Sequence, residues 1–359
     1  MQTIHARNVN GAFDEMVWLA TEEHQARYWR SIAPRGQRTL ELIEPMATCY
    51  SNPMERVLFH PQRDANPFFH FFEALWILAG RNDVAFLKQF NSNIASYSDD
   101  GAFFHGAYGF RLRKHFEGFN SVECEYYAID QISTVIEKLR ADHTTRQAVL
   151  CIWDPGEDLN YKGKDTPCND LIFLKVRDEK LEMRVCCRSN DAIWGAYGAN
   201  VVQFSTLQEF IAGAVGVGVG PYTQISDSFH IYTDREDWAR IKAAPRVQTD
   251  PYEASDISPY SLFKGCDASA YWAWLDGLSR IFTFAYPSIT DIPRSYFSNI
   301  PYLNDVAWPM YRAWRCWKSE MGTKNSRIAN AAYMLDEYCL ARDWALAGKR
   351  WLERRKEEE

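Results

Sequence analysis

The stretch from Pro167 to Tyr232 constrains this chain more than any other. It opens on Thr166-Pro167-Cys168-Asn169 and crosses two strand-like runs, Leu171 to Val176 and Leu181 to Cys187. After Arg188-Ser189-Asn190-Asp191 it turns through Trp194-Gly195-Ala196-Tyr197-Gly198-Ala199-Asn200 into a helix, and it closes on Asp227-Ser228-Phe229-His230-Ile231-Tyr232. A thiol, an arginine–serine–aspartate cluster, a glycine-punctuated turn and a His-x-Tyr pair can together supply a nucleophile, an anion site and polar readers of a small ligand. No one of them would suggest this alone.

The rest of the chain must enclose that stretch. With 359 residues, 47% of them apolar and 15% aromatic, it can bury the core of one large mixed domain. A net charge of -7 argues against broad nucleic-acid binding, which needs a basic face for counterion release. A bound nucleotide would be a free one in a local basic pocket. Met1 to Arg7 has no apolar signal core, and no window has the apolar length of a membrane span, so a cytoplasmic protein without a membrane partner is expected. The nine cysteines lack paired C-x-x-C spacing and read as free thiols, with no metal site expected.

Periodicity predicts helices over Phe13 to Arg30, Asn66 to Gly80, Tyr126 to Ala141, Asp234 to Lys242, Trp272 to Phe284 and Ser326 to Trp351, and a strand over Ala148 to Trp153. Pro245 to Pro259 reads as a loop, and Ser96 to Gly109 as an irregular loop able to cover a pocket. Glu73 is the misfit of the apolar Asn66 to Gly80 helix. It is either a desolvated proton-handling carboxyl or a residue on the helix's polar edge. The loop Arg35-Gly36-Gln37-Arg38-Thr39 is either an anion site or a solvated turn.

Taken together, Phe72-Glu73-Ala74-Leu75-Trp76-Ile77-Leu78-Ala79-Gly80, Tyr108-Gly109, Arg146, Pro167-Cys168, Arg188-Ser189-x-Asp191, Gly195, Asn200 and His230-Ile231-Tyr232 resemble, in order, the thymidylate synthase superfamily. Its members include pyrimidine-nucleotide hydroxymethylases of phages and of nucleoside-antibiotic pathways. The resemblance implies an α+β fold in which a mixed β-sheet packs with helices and a sheet face forms a homodimer. It implies one catalytic domain over residues 1–359, with a divergent helical region from about 265.

The resemblance also implies chemistry. Cys168 matches the thiolate that adds to carbon 6 of the pyrimidine, making carbon 5 nucleophilic, and Arg188 would favour that thiolate. Arg38, Arg146, Arg188 and Ser189 match phosphate-binding positions, with Arg146 reaching across from a partner subunit. Asn200 matches the amide that reads the base edge, and His230 and Tyr232 the sugar-hydroxyl pair. Asp191, Trp194 and Gly195 resemble the folate side, with Glu73, Tyr108 and Asn169 in the proton-handling network. The implied co-substrates are a pyrimidine nucleoside monophosphate and 5,10-methylenetetrahydrofolate.

Departures from the family pattern direct the choice of reaction. Pro-Cys-His becomes Pro167-Cys168-Asn169, the second of two usual arginines becomes Gln147, and one extra residue precedes each of Asn200 and His230. The usual Trp-Asp-x-Trp cluster reads Ile94-Ala95-Ser96-Tyr97, and the usual closing tail is not recognisable. The expected reaction is therefore carbon-5 hydroxymethylation of dUMP or dCMP. The alternatives are methylation of dUMP and an inactive nucleotide-binding regulator.

Overall fold

The computed structural model describes residues 1–244, 249–254, 257–284 and 298–357. Among the described residues ten strands form: β1 (Gln2–Ala6), β2 (Trp29–Ile32), β3 (Thr39–Leu42), β4 (Met46–Tyr50), β5 (Glu117–Asn120), β6 (Glu125–Ala128), β7 (Ala148–Cys151), β8 (Asn169–Arg177), β9 (Lys180–Asp191) and β10 (Gly218–Tyr232). Eight of them make one mixed sheet in the order β1-β4-β10-β9-β8-β7, with β3 on the far end of β10 and β2 beside β3. The expected α+β architecture, with a mixed sheet packed by helices, is therefore what the chain adopts.

The centre of the sheet explains why the motifs converge. β8 and β9 are antiparallel, so Asn169 at the start of one lies opposite Cys187 near the end of the other. β9 and β10 are parallel, joined through the helix Val201–Val215, and pair Ser189 with Ser228 and Asp191 with His230. Cys168, Arg188 to Asp191 and His230 to Tyr232 thus meet at one end of three neighbouring strands. The helix joining β9 to β10 is buried on nearly every side and packs against the Glu73 helix, Pro67–Leu78.

Several predicted elements split where a hydrogen bond from outside the pattern claims the backbone. The helix expected over Phe13 to Arg30 is two helices, Val9–Leu19 and Glu22–Tyr28, followed by β2. The Thr21 hydroxyl donates to the Trp18 carbonyl at 2.8 Å at the break. Asp130 accepts from the Ser133 amide and starts the next helix at Gln131, leaving Tyr126 to Ala128 in the β5–β6 hairpin. Ser326 to Trp351 divides into Lys324–Tyr338 and Arg342–Glu353, because the Leu340 amide donates to the Asp305 carbonyl. The predicted helices near 234 and 272 form as Glu236–Ala243 and Tyr271–Phe284. Of the loop expected over 245–259, residues 245–248 and 255–256 lie outside the described residues, and Pro251–Ala254 is a short helix.

The C-terminal helices form a layer behind the Glu73 helix. Phe68 packs on Trp314 and Trp351 at ring-centre distances of 5.4 and 5.8 Å, and Phe71 meets Trp344 edge-on at 5.2 Å. Every residue from Pro67 to Leu78 is buried as a result, so this helix has no polar edge. Among the described residues no helix is long and apolar enough to cross a membrane.

Candidate active site

A cavity of about 650 Å³ opens at the converging strand ends. Its walls include Cys168, Ser189, Asp191, Trp194, Gly195, Asn200, His230 and Tyr232 from the strand ends and the turn after β9. Glu73 and Tyr108 enter from the helical layer. Residues distant in sequence are therefore assembled around one space of nucleotide-plus-ring size.

Cys168 sits immediately before β8. Burial pushes its thiol up, and the nearby charges of Arg188 and Arg35 pull in the opposite direction. Arg188 donates through Nη2 to the Cys168 sulfur at 3.8 Å, while its Nε donates to the Pro167 carbonyl at 2.8 Å. The guanidinium is thereby fixed beside the thiol, where it offsets part of the cost of forming a thiolate.

Glu73 is 9% exposed, and burial raises its carboxyl to about 7. A hydrogen bond with Gln203 opposes that rise. Glu73 Oε2 and Gln203 Oε1 are both buried with no protein partner, on residues that line the cavity. Burial holds the Tyr108 phenol well above the usual range, and the nearby Asn169 side chain opposes that rise. The turn carrying Tyr108 lies tight on the Glu73 helix, since a Cβ on Gly109 would come within 2.2 Å of the Ile77 carbonyl oxygen.

The opposite wall is held by the segment after β9. Asp191 caps it, accepting from the amides of Ile193 and Trp194, and its burial raises its pKa. The extra residue before Asn200 is absorbed by wide, π-type turns over Ala192–Asn200, the usual way a helix accommodates an insertion. Two guanidinium groups lie over the Trp194 ring, Arg63 at 4.6 Å and Arg235 at 5.5 Å from its centre. His230 Nδ1 lies 3.1 Å from the Ser228 carbonyl, to which it donates as the Nδ1–H tautomer, and its ring meets Tyr232 edge-on.

Two expected phosphate residues lie elsewhere within this chain. Arg38 is exposed, and its part in the fold is a carbonyl that accepts from the Thr233 amide at 2.9 Å. Arg35, in the same loop, is the residue whose charge acts on both Cys168 and Tyr232. It adopts the left-handed region with φ of 52°, a conformation rare enough for a non-glycine residue that spacing alone could not have indicated it. Arg146 is exposed in the loop before β7, away from the cavity. Gln203, Arg63 and Arg235 belong to the site or its support and carry no motif that sequence reading would single out, and Asn190 is the unassigned position within Arg188-Ser189-x-Asp191.

The thymidylate synthase family model matches residues 64–256, which include Glu73, Tyr108, Cys168, Asn200 and His230. The chain belongs to the thymidylate synthase family. It is 39% identical to the deoxyuridylate hydroxymethyltransferase of Pseudomonas phage M6, an alignment covering 99% of this chain and 95% of that protein. It is 47% identical to the deoxyuridylate hydroxymethyltransferase of Bacillus phage SP01 over 56% of this chain and 53% of that one. A putative thymidylate synthase of Methanocaldococcus jannaschii is 40% identical, over 30% of this chain and half of its own length. Family membership bears out the expected transfer of a one-carbon unit to carbon 5 of a pyrimidine nucleotide, with methylenetetrahydrofolate as donor.

Proposed function

We propose that this enzyme hydroxymethylates carbon 5 of dUMP. The observation that carries the reading is the extent of the likeness. The phage M6 deoxyuridylate hydroxymethyltransferase aligns with nearly the whole chain, C-terminal helices included, whereas the putative thymidylate synthase of Methanocaldococcus jannaschii matches less than a third of it.

The geometry supports the same choice. The Cys168 thiolate adds to carbon 6, and carbon 5 then takes the one-carbon unit from methylenetetrahydrofolate; loss of the carbon-5 proton breaks the bond to the folate nitrogen, expels tetrahydrofolate and leaves an exocyclic methylene. Water adds to that methylene and the thiolate departs. Glu73 Oε2 and Gln203 Oε1, both without protein partners, can accept the two hydrogens of one water and leave its lone pair free to attack. The ionised form of Glu73 takes the proton. Ile94, Ser96 and Tyr97 line the cavity where other members place a tryptophan, and Tyr97 is 54% exposed. That wall leaves the methylene open to water.

Arg188, Ser189 and Arg35 form the phosphate end of the reading, His230 and Tyr232 the sugar end, and Asp191 with Trp194 the folate side. In the homodimer that completes this reading, Arg146 serves the partner's phosphate site. Support comes from the open face of the sheet, where Val149 and Phe173, cross-strand partners each 41% exposed, lie beside Leu171, Cys186 and Ile225. The test is the product. Hydroxymethyl-dUMP with no dihydrofolate absorbance is expected, and stoichiometric dihydrofolate with a methylated nucleotide would overturn the reading in favour of thymidylate synthesis.

A further inference from the structure

Asn200 does not stand alone behind the base edge. Its Nδ2 donates to Asn190 Oδ1 at 3.1 Å, and Asn190 Nδ2 donates in turn to Ser226 Oγ at 3.0 Å. All three side chains are at least nine-tenths buried, Asn190 at 2% exposure. Gly195 makes room for the chain of amides, since a Cβ there would lie 2.5 Å from Asn190 Oδ1 and 3.5 Å from Asn200 Nδ2. Asn200 lines the cavity and Asn190 does not.

This arrangement has a direction. A primary amide offers one carbonyl acceptor and two N–H donors. With one Nδ2 hydrogen held by Asn190, Asn200 presents Oδ1 and its remaining N–H to the ligand. Uracil answers with a donor at N3 and an acceptor at O4, whereas cytosine carries an acceptor at N3 and an amino donor at carbon 4. To read cytosine the Asn200 amide must turn over. Its oxygen would then face Asn190 Oδ1, two acceptors about a hydrogen-bond length apart, unless both buried amides turn together.

We propose that Asn190 is a positioning residue that selects uracil over cytosine by holding the Asn200 amide in its uracil-reading orientation. The inference rests on the dUMP reading above and assigns the discrimination to a residue that does not touch the nucleotide.

The test compares kcat/KM for dUMP and dCMP in the wild-type enzyme, in Asn190→Ser and in Asn190→Asp. The serine is too short to reach Asn200 and frees its amide, so the dUMP/dCMP ratio should fall about tenfold, mainly through a higher KM for dUMP. The aspartate keeps an acceptor facing Asn200, so its ratio should stay at or above that of the wild type. A purely structural role for Asn190 would lower both nucleotides alike. An unchanged ratio in Asn190→Ser, or a shift towards dCMP in Asn190→Asp, would overturn the inference, and the aspartate arm decides it if the serine variant does not fold. A wild-type enzyme that prefers dCMP would instead overturn the substrate reading beneath it.

Discussion

Glu73 is a carboxyl group on a helix buried along its whole length, and its properties follow from that placement. Burial raises it to about 7, so it is divided between acid and base near neutral pH, which suits a group that must accept a proton from water. Hydroxymethyl formation should therefore rise with pH through about 7, and a pH–rate profile of Glu73→Gln should lose that limb together with most of its turnover. The same shift bears on stability. Because the folded carboxyl ionises above its unfolded value, the folded state holds the extra proton, and stability falls as pH rises from the ordinary carboxylate range through about 7. At pH 8 Glu73→Gln should be more stable than the wild type by roughly 2–3 kcal/mol, measured by denaturant unfolding at both ends of that window. Equal stabilities at pH 8 would show that Glu73 finds compensation the buried helix does not display. At Cys168 the prediction is covalent: a fluorinated dUMP analogue with folate should leave a mass adduct on the wild-type chain and none on Cys168→Ala.

The Glu73 helix owes its burial to a layer with no place in the matched family segment, the helices after residue 256. Trp344 is 5% exposed and packs edge-on against Phe71, three residues from Glu73's turn neighbour Ala74. Trp344→Ala should cost about 3–5 kcal/mol through the cavity it leaves, seen as a lower melting temperature. If the layer also keeps water from the back of Glu73, the acidic limb of the pH profile should move down in the same variant. The outline of these elements is legible in the sequence where apolar period and bounding residues agree. The Asn66 to Gly80 helix has Asn66 accepting from Phe68 and Phe69 at its start, and the two central strands have alternating burial along their length. Legibility fails where one hydrogen bond ends an element that the pattern would continue, as those of Thr21, Asp130 and the Leu340–Asp305 pair do. It fails in the site for a related reason. Cys168, Asn200 and His230 come from motif order, but Gln203 and Asn190 act through partners brought together by the β9–β10 crossover, and no local spacing announces them.

At the scale of the whole molecule, the proposed assignment gives the site in one chain its base, sugar and thiol contacts but a thin phosphate end. Arg188 is committed to the Pro167 and Thr166 carbonyls and to the Cys168 sulfur, and Arg146 lies exposed beside β7 at the edge of the sheet. The open sheet face carries Phe173 opposite Val149 on one side and Arg184 on the other, an apolar patch with charge at its margin, as a self-complementary interface requires. A two-fold dimer through that face would bring each Arg146 towards the other subunit's site. Such sharing makes a specific prediction for mixed subunits. Neither Arg146→Ala nor Cys168→Ala homodimers should have substantial activity. Random mixing makes half the dimers mixed, and each of these has one site with both the thiol and the partner's arginine intact. The mixture should therefore regain about a quarter of wild-type turnover. The measurement is turnover against mixing ratio, with mixed dimers verified by tagged purification. Recovery that peaks at equal proportions supports sites built from two chains, whereas verified mixed dimers without recovery would place every phosphate contact within a single chain, with Arg35 and Arg188 sufficient.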